Sequence, residues 1–222
     1  MIEGIIAEAI VQLYRRGLIT LSEGNVSVRK DDRIFITPGG LRKDRVRPED
    51  VAEVGLNGKV LRGKPSSEYR LHLEIYRARE DVEAIVHAHP SFAISLSVAG
   101  ISLEYPILAE AITILGPVPI VPFELPSTEE LARHAAEVAS HRDCLLLENH
   151  GAVTTAGSID LALAMMETLE HTAEVFWRAL LIGRVKLFER EEVSKLLALR
   201  RSYGLPPRDW GPEDFLYSIP EY

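Results

Sequence analysis

The amino-acid sequence predicts an α/β fold in which helices pack on both faces of a mixed sheet. Three observations predict it. Pairs of short alternating segments joined by turn residues stand near the start of the chain, apolar runs ending at histidines follow, and segments of helical period lie between and after them. With 222 residues, 46% of them hydrophobic, and no low-complexity run, Ser/Gly linker or internal repeat, residues 1–222 read as one domain with a full core.

Residues 2–16 repeat Ile5, Ile6, Ala9, Ile10, Leu13 and Tyr14 at helical spacing, and Gly17 is placed to end that helix. After the turn Ser22-Glu23-Gly24-Asn25, Val26–Arg29 alternates as a strand, and a turn at 30–33 leads into Ile34-Phe35-Ile36, so the pair reads as a hairpin. A second hairpin is expected from Val51–Val54 and Lys59–Leu61 around Asn57-Gly58, because both central residues of a tight hairpin turn need positive φ. Ser66 is expected to cap a helix running to about Arg79. Val82–His89 reads as a buried strand, 90–99 as a helix, and Val118–Val121 as a short strand in a Pro-rich stretch. Ser127-Thr128-Glu129-Glu130 has the residues that start a helix, Leu145–Val153 reads as one buried strand, and Ile159 to about Leu181 is the longest helix. Glu191–Leu199 adds a last helix before a tail, 203–222, that need not be regular.

Composition excludes some functions. A formal charge of −8 argues against a nucleic-acid partner, and the basic stretch Arg42-Lys43-Asp44-Arg45-Val46-Arg47, broken by an acid, reads as a solvated loop. No apolar run reaches the length of a membrane span, and Met1-Ile2-Glu3-Gly4 lacks the basic start of an exported leader. The lone Cys144 cannot form an internal disulfide, which fits a reducing, cytoplasmic setting.

His87-Ala88-His89 closes an apolar strand, and residues two apart on a strand face the same side. A third histidine, His150, ends a second apolar run. Spacing alone leaves two readings open, hydrogen-bonded core histidines or the three-imidazole set with one free position that suits catalytic zinc. Glu68 and His72 share a helix face, so they either pack beside the sheet or bind metal. His134, His141 and His171 stand without partners.

The segments Gly24-Asn25-Val26-Ser27-Val28-Arg29, Ile36-Thr37-Pro38, Pro65-Ser66-Ser67-Glu68, His87-Ala88-His89-Pro90 and Asn149-His150-Gly151, in this order, resemble the signature segments of the class II aldolase/adducin family. The resemblance runs from the first helix to about Gly204. It implies a three-layer α/β/α domain with a mixed, mostly antiparallel central sheet, and zinc on His87, His89 and His150. It also implies a homotetramer with active sites between subunits. The activity implied is cleavage of a ketose 1-phosphate, a small phosphorylated sugar, to dihydroxyacetone phosphate and a short aldehyde through an enediolate. Glu68 would be the acid/base and would also fill the open metal position. Gly24, Asn25, Thr37, Gly40, Ser66 and Ser67 resemble the phosphate pocket.

Two positions depart from the family pattern. Gly39 stands where a Ser or Thr hydroxyl would donate to phosphate, and Glu110 stands where a tyrosine would reach a neighbour's site as second acid. Glu110, Tyr105 or Tyr203 is then the candidate for that role. Rival readings are a pentulose-5-phosphate 4-epimerase, against which Glu68 argues because that branch carries Asp, and a related dehydratase or decarboxylase. An adducin-like binding domain would lack the three histidines.

Overall fold

The computed structural model describes residues 1–219; positions 220–222 of the predicted tail lie outside the described residues. In chain order the elements are α1 (Ile2–Arg15), β1 (Asn25–Lys30), β2 (Arg33–Ile36), β3 (Ala52–Gly55), β4 (Val60–Arg62), α2 (Tyr69–Ala78), β5 (Ala84–Ala88) and α3 (Ser91–Val98). They continue with β6 (Ile120–Val121), α4 (Glu129–Ala139), β7 (Cys144–Leu147), β8 (Gly151–Ala156), α5 (Ile159–Ile182) and α6 (Arg190–Ser202). The strands form one sheet in the order β4-β3-β2-β1-β5-β8-β7-β6. Its neighbours are antiparallel throughout except β6 and β7, which run parallel, so the sheet is mixed and mostly antiparallel as expected.

The period of two sorts the strand residues into two cores. On β5, Ala84, Val86 and Ala88 pack with residues of α1, α3 and α5, whereas Ile85 packs with residues of α2 and α4; β7 splits the same way between Cys144 and Leu146 on one face and Leu145 and Leu147 on the other. A helical layer therefore covers each face, and β5, β7 and β8 lie buried between them. Phe176 of α5 is among the largest fully buried side chains, and truncating it to Ala would cost about 3–5 kcal/mol.

Two local expectations are corrected. The run 145–153 is two strands folded back on each other, because Asn149 takes a left-handed conformation (φ 55°) that its short amide tolerates. Helix α2 begins at Tyr69, not Ser66. The preceding residues are held in a turn in which the Ser66 N–H donates to the Thr37 carbonyl at 3.0 Å, and Glu68 occupies the N-cap position without making a cap hydrogen bond. A π-helical turn, Ala111–Leu115, precedes β6; the carbonyls of Thr113 and Ile114 accept from the Arg200 guanidinium at 2.9 and 2.8 Å. The tail packs back onto this turn through Trp210, whose ring fills the space where a Cβ on Gly116 would stand.

Candidate active site

The site lies where β1, β5 and the β7–β8 turn end together, and backbone pairing puts it there. Asn25 on β1 is opposite His87 on β5, and Ala88 is opposite Ala152 on β8. Because His87 follows Ile85 at the strand period, its ring points to the α2 face, where Glu68 arrives from the turn before the helix. The tight turn at Asn149 swings His150 over the same spot. Gly151 must lack a side chain here, since a Cβ would stand 2.5 Å from the Ala88 carbonyl and 2.9 Å from the His87 ring. Gly24 is likewise required, by its φ of +72° and by the nearby Ile19 side chain.

Among the described residues, Glu68, His87, His89 and His150 form the one group of His, Cys, Asp or Glu whose donor atoms all lie within 4.8 Å of one another. The Nε2 atoms of His87 and His89 are 3.1 Å apart, His87 Nε2 is 3.0 Å from Glu68 Oε2, and His150 Nε2 is 3.5 Å from Glu68 Oε1. Nitrogens about 2.0–2.1 Å from a tetrahedral zinc ion stand about 3.3 Å from one another, so the spacing fits a divalent ion. Donor chemistry agrees. His87 Nδ1 donates to the Ala152 carbonyl at 3.0 Å, which leaves Nε2 as the ring atom facing the cluster. Glu68 Oε1 is buried and accepts no hydrogen bond, His150 Nε2 standing 3.5 Å away.

The charges follow from this crowding. Burial alone would raise the Glu68 carboxyl, but the His87 imidazole, with His150 and the Asn25 amide, holds it well below the usual carboxylate range. Burial would strip His87 of its proton, yet the Glu68 carboxylate keeps the ring above the ordinary imidazole value. His89 and His150 are pushed down to about 3 and about 4, by burial first and then by charge on His87, so they stand neutral and ready to ligate. A divalent cation in the cluster would compete with protonation of His87.

Behind Glu68 runs a buried polar chain. Its Oε2 accepts from Asn25 Nδ2 at 3.3 Å, Asn25 Oδ1 faces His72 Nε2, and His72 Nδ1 lies 2.6 Å from Ser27 Oγ, which bonds Tyr76. Burial pushes His72 down to about 3, so the neutral ring donates to Asn25 and turns that amide's N–H₂ toward Glu68. Of the two sequence readings of His72, packing beside the sheet is the one found.

A cavity of about 220 Å³ opens next to the cluster, and Gly24, Asn25, Gly40, Ser66, Ser67 and Glu68 are among the residues that line it. Thr37 is a correction. Its side chain is fully buried and its hydroxyl accepts from the Val26 N–H at 3.1 Å, so it fixes β1 and does not line the cavity. Tyr105 is a second correction, being buried in the core against Phe176. Glu110 and Tyr203 are exposed, Tyr203 at 64%, and neither lines this chain's cavity. Sequence reasoning missed Lys43, Glu23 and Ser127, which do line it. Lys43 carried no signal because it sits in an alternating-charge stretch. Its neighbourhood shows only in three dimensions.

Converging imidazoles and a carboxylate beside a donor-lined cavity, at the end of a mixed sheet, define an enzyme with a cluster able to hold a metal. Residues 5–177 match the family described as Class II Aldolase and Adducin N-terminal domain, and the chain belongs to that family. It is similar to the 5-deoxy-D-ribulose 1-phosphate aldolase of Bacillus thuringiensis serovar kurstaki, 36% identical over 87% of this chain and 92% of that one. It is also similar to the L-fuculose phosphate aldolase of Escherichia coli K12, 31% identical over 90% of this chain and 94% of that one. A solved L-fuculose 1-phosphate aldolase has the same fold, with a TM-score of 0.86 at 26% identity over 90% of this chain and 96% of that one. The chain is thus an enzyme of the class II aldolase type, a carbon–carbon lyase.

Proposed function

We propose that this aldolase uses zinc to cleave a ketose 1-phosphate, such as L-fuculose 1-phosphate or 5-deoxyribulose 1-phosphate, into dihydroxyacetone phosphate and a short aldehyde. The observation that carries the reading is the buried Glu68 carboxylate, with one oxygen unpartnered, held against three convergent imidazoles at the rim of a donor-lined cavity. The names of the similar proteins supply the substrate class.

In this reading His87, His89 and His150 hold the ion. Bound there, zinc supplies a Lewis acid that eases the build-up of negative charge beside the carbonyl. Glu68 takes the proton from the hydroxymethyl carbon of dihydroxyacetone phosphate in the condensation direction and returns it in cleavage. Asn25, oriented through His72, holds the other Glu68 oxygen and so aims the unpartnered one. Gly24, Asn25, Gly40, Ser66 and Ser67 receive the phosphate; Gly24 and Gly40 let backbone approach it, and the serines add hydroxyls. Residues 1–222 act as one cytoplasmic domain. The cavity is smaller than the roughly 300–1,000 Å³ of a usual small-molecule site, which supports completion by a neighbouring copy in a homotetramer. Glu110 and Tyr203, exposed and away from their own chain's cavity, are the candidates to reach a neighbour's site as second acid.

The test is incubation of zinc-analysed protein with dihydroxyacetone phosphate in deuterated water, following exchange at the hydroxymethyl carbon by NMR. Exchange that stops on chelation and returns with zinc is the expected result. No exchange in zinc-loaded protein would overturn the reading and point to another substrate class.

A further inference from the structure

We propose that Lys43 is the cationic partner of the substrate's phosphate, the residue by which this site distinguishes a phosphorylated three-carbon ketone from its unphosphorylated form. The proposal deepens the aldolase reading and rests on it for the identity of the substrate.

The basic stretch 42–47 does not behave as one solvated loop. Arg42 and Arg45 pair with Asp44 at the surface, while Lys43 turns inward and is 3% exposed. Its backbone N–H is fixed to the Leu21 carbonyl at 2.9 Å, and its ammonium donates to the Pro38 carbonyl at 3.0 Å. It takes part in no ion pair among the described residues. An ammonium has three donors, and taking its charge out of water is costly unless an anion meets it. Burial pulls the Lys43 pKa down, and the field of Glu68 works to keep the charge.

What surrounds the ammonium points to the anion. Lys43 lines the cavity with Gly39, Gly40, Ser66 and Ser67, and no other Lys or Arg is among the described residues that line it. The Gly39 N–H donates to the Lys64 carbonyl at 3.0 Å, which brings the 38–40 backbone beside the Ser66 turn. A Cβ on Gly39 would stand 2.6 Å from the Pro65 carbonyl oxygen, so this close seam leaves no room for a side chain. That wall therefore offers no hydroxyl, and the charged donor reaching the cavity beside it is Lys43. A phosphate dianion uses several donors at once, and Lys43 stands with the serines and the 39–40 backbone around one small space that Glu23 and Glu68 also line.

Lys43→Gln keeps a donor for the Pro38 carbonyl and removes the charge. In zinc-loaded full-length protein its KM for dihydroxyacetone phosphate in the exchange assay should rise by about ten-fold or more, with kcat changed by less than about three-fold. Exchange of unphosphorylated dihydroxyacetone should change by less than about two-fold. An equal loss on both ketones would make Lys43 a brace or a partner of Glu68, and would overturn the proposal, as would an unchanged KM. Calorimetric titration of inorganic phosphate separates this from the aldolase reading. Binding to the wild type that is lost in Lys43→Gln supports the anion site even where no exchange is seen; equal binding by both overturns it. Should Lys43→Gln fail to fold, phosphate titration of wild-type protein with ¹⁵N-labelled lysine decides. One buried lysine signal should shift, and a spectrum that phosphate leaves unmoved contradicts the proposal.

Discussion

Two buried clusters of charge sit at the ends of this sheet, and they are finished differently. At the start of β7, Asp143, 1% exposed, accepts from Arg79 at 2.9 Å, Arg200 at 2.9 Å and Arg208 at 2.9–3.0 Å, so that both carboxylate oxygens carry more than one donor. The arginines in turn reach the Ala139, Thr113, Ile114 and Pro206 carbonyls, and the cluster ties together the end of α2, α6, the π-helical turn and the tail. At the other cluster, Glu68 is 8% exposed, yet one of its oxygens has no hydrogen bond, and His150 Nδ1 has none either. A folded protein closes its buried polar groups wherever stability alone is at stake. The closed cluster is scaffold. The unclosed one leaves bonding capacity that the proposed ion and substrate would use.

Substitutions test the contrast from both ends. Glu68→Gln should lower deuterium exchange on dihydroxyacetone phosphate by about 10²–10⁴-fold with zinc content unchanged, since it removes the base and keeps the shape; retained exchange would take Glu68 out of the mechanism. His89→Ala should lower zinc affinity by more than about 100-fold together with activity, read by metal analysis after dialysis, and an unchanged metal content would break the ligand assignment. Asp143→Asn should do the reverse. Leaving Arg200 without a counter-charge, and Arg79 and Arg208 with Asp81 alone, should cost about 3–5 kcal/mol, lowering Tm by roughly 6–20 °C, while exchange per folded chain is kept. A parallel loss of exchange would mean that the two clusters are coupled.

The smallest effect is one of pH. His72 titrates near 3 when folded because burial disfavours its charge, against about 6.5 unfolded, so the unfolded chain takes up its proton first. Stability of the metal-free protein should therefore fall as pH drops from about 6.5 toward 3, by on the order of 2 kcal/mol at pH 5 from His72 alone. His89 and His150 act with the same sign, whereas His87, raised by Glu68, acts with the opposite one and loses its contribution as pH rises. Thermal unfolding across that range checks it. His72→Phe should flatten the slope, and an unaltered slope would remove His72 as a contributor.

Much of this was legible in sequence because it is written in local periods. Asn57-Gly58 marks its hairpin through its turn geometry, and His87 and His89 share a face through the strand period. The break at Asn149 was hidden by apolar residues on both sides of a very short turn. Thr37 was misassigned because a hydroxyl beside a pocket motif looks the same in sequence whether it meets a ligand or a strand N–H. Lys43 was unreadable for a related reason. Whether a lysine in a charged stretch turns inward depends on the seam between Gly39 and Pro65, which joins segments distant along the chain.

The most direct test of the central claim is calorimetric titration of zinc into metal-free protein at two buffer ionisation enthalpies. The account predicts one ion per chain, with proton release that grows as pH falls, and loss of that binding in His150→Ala. Absence of saturable binding, or the same binding in His150→Ala as in the wild type, would contradict it.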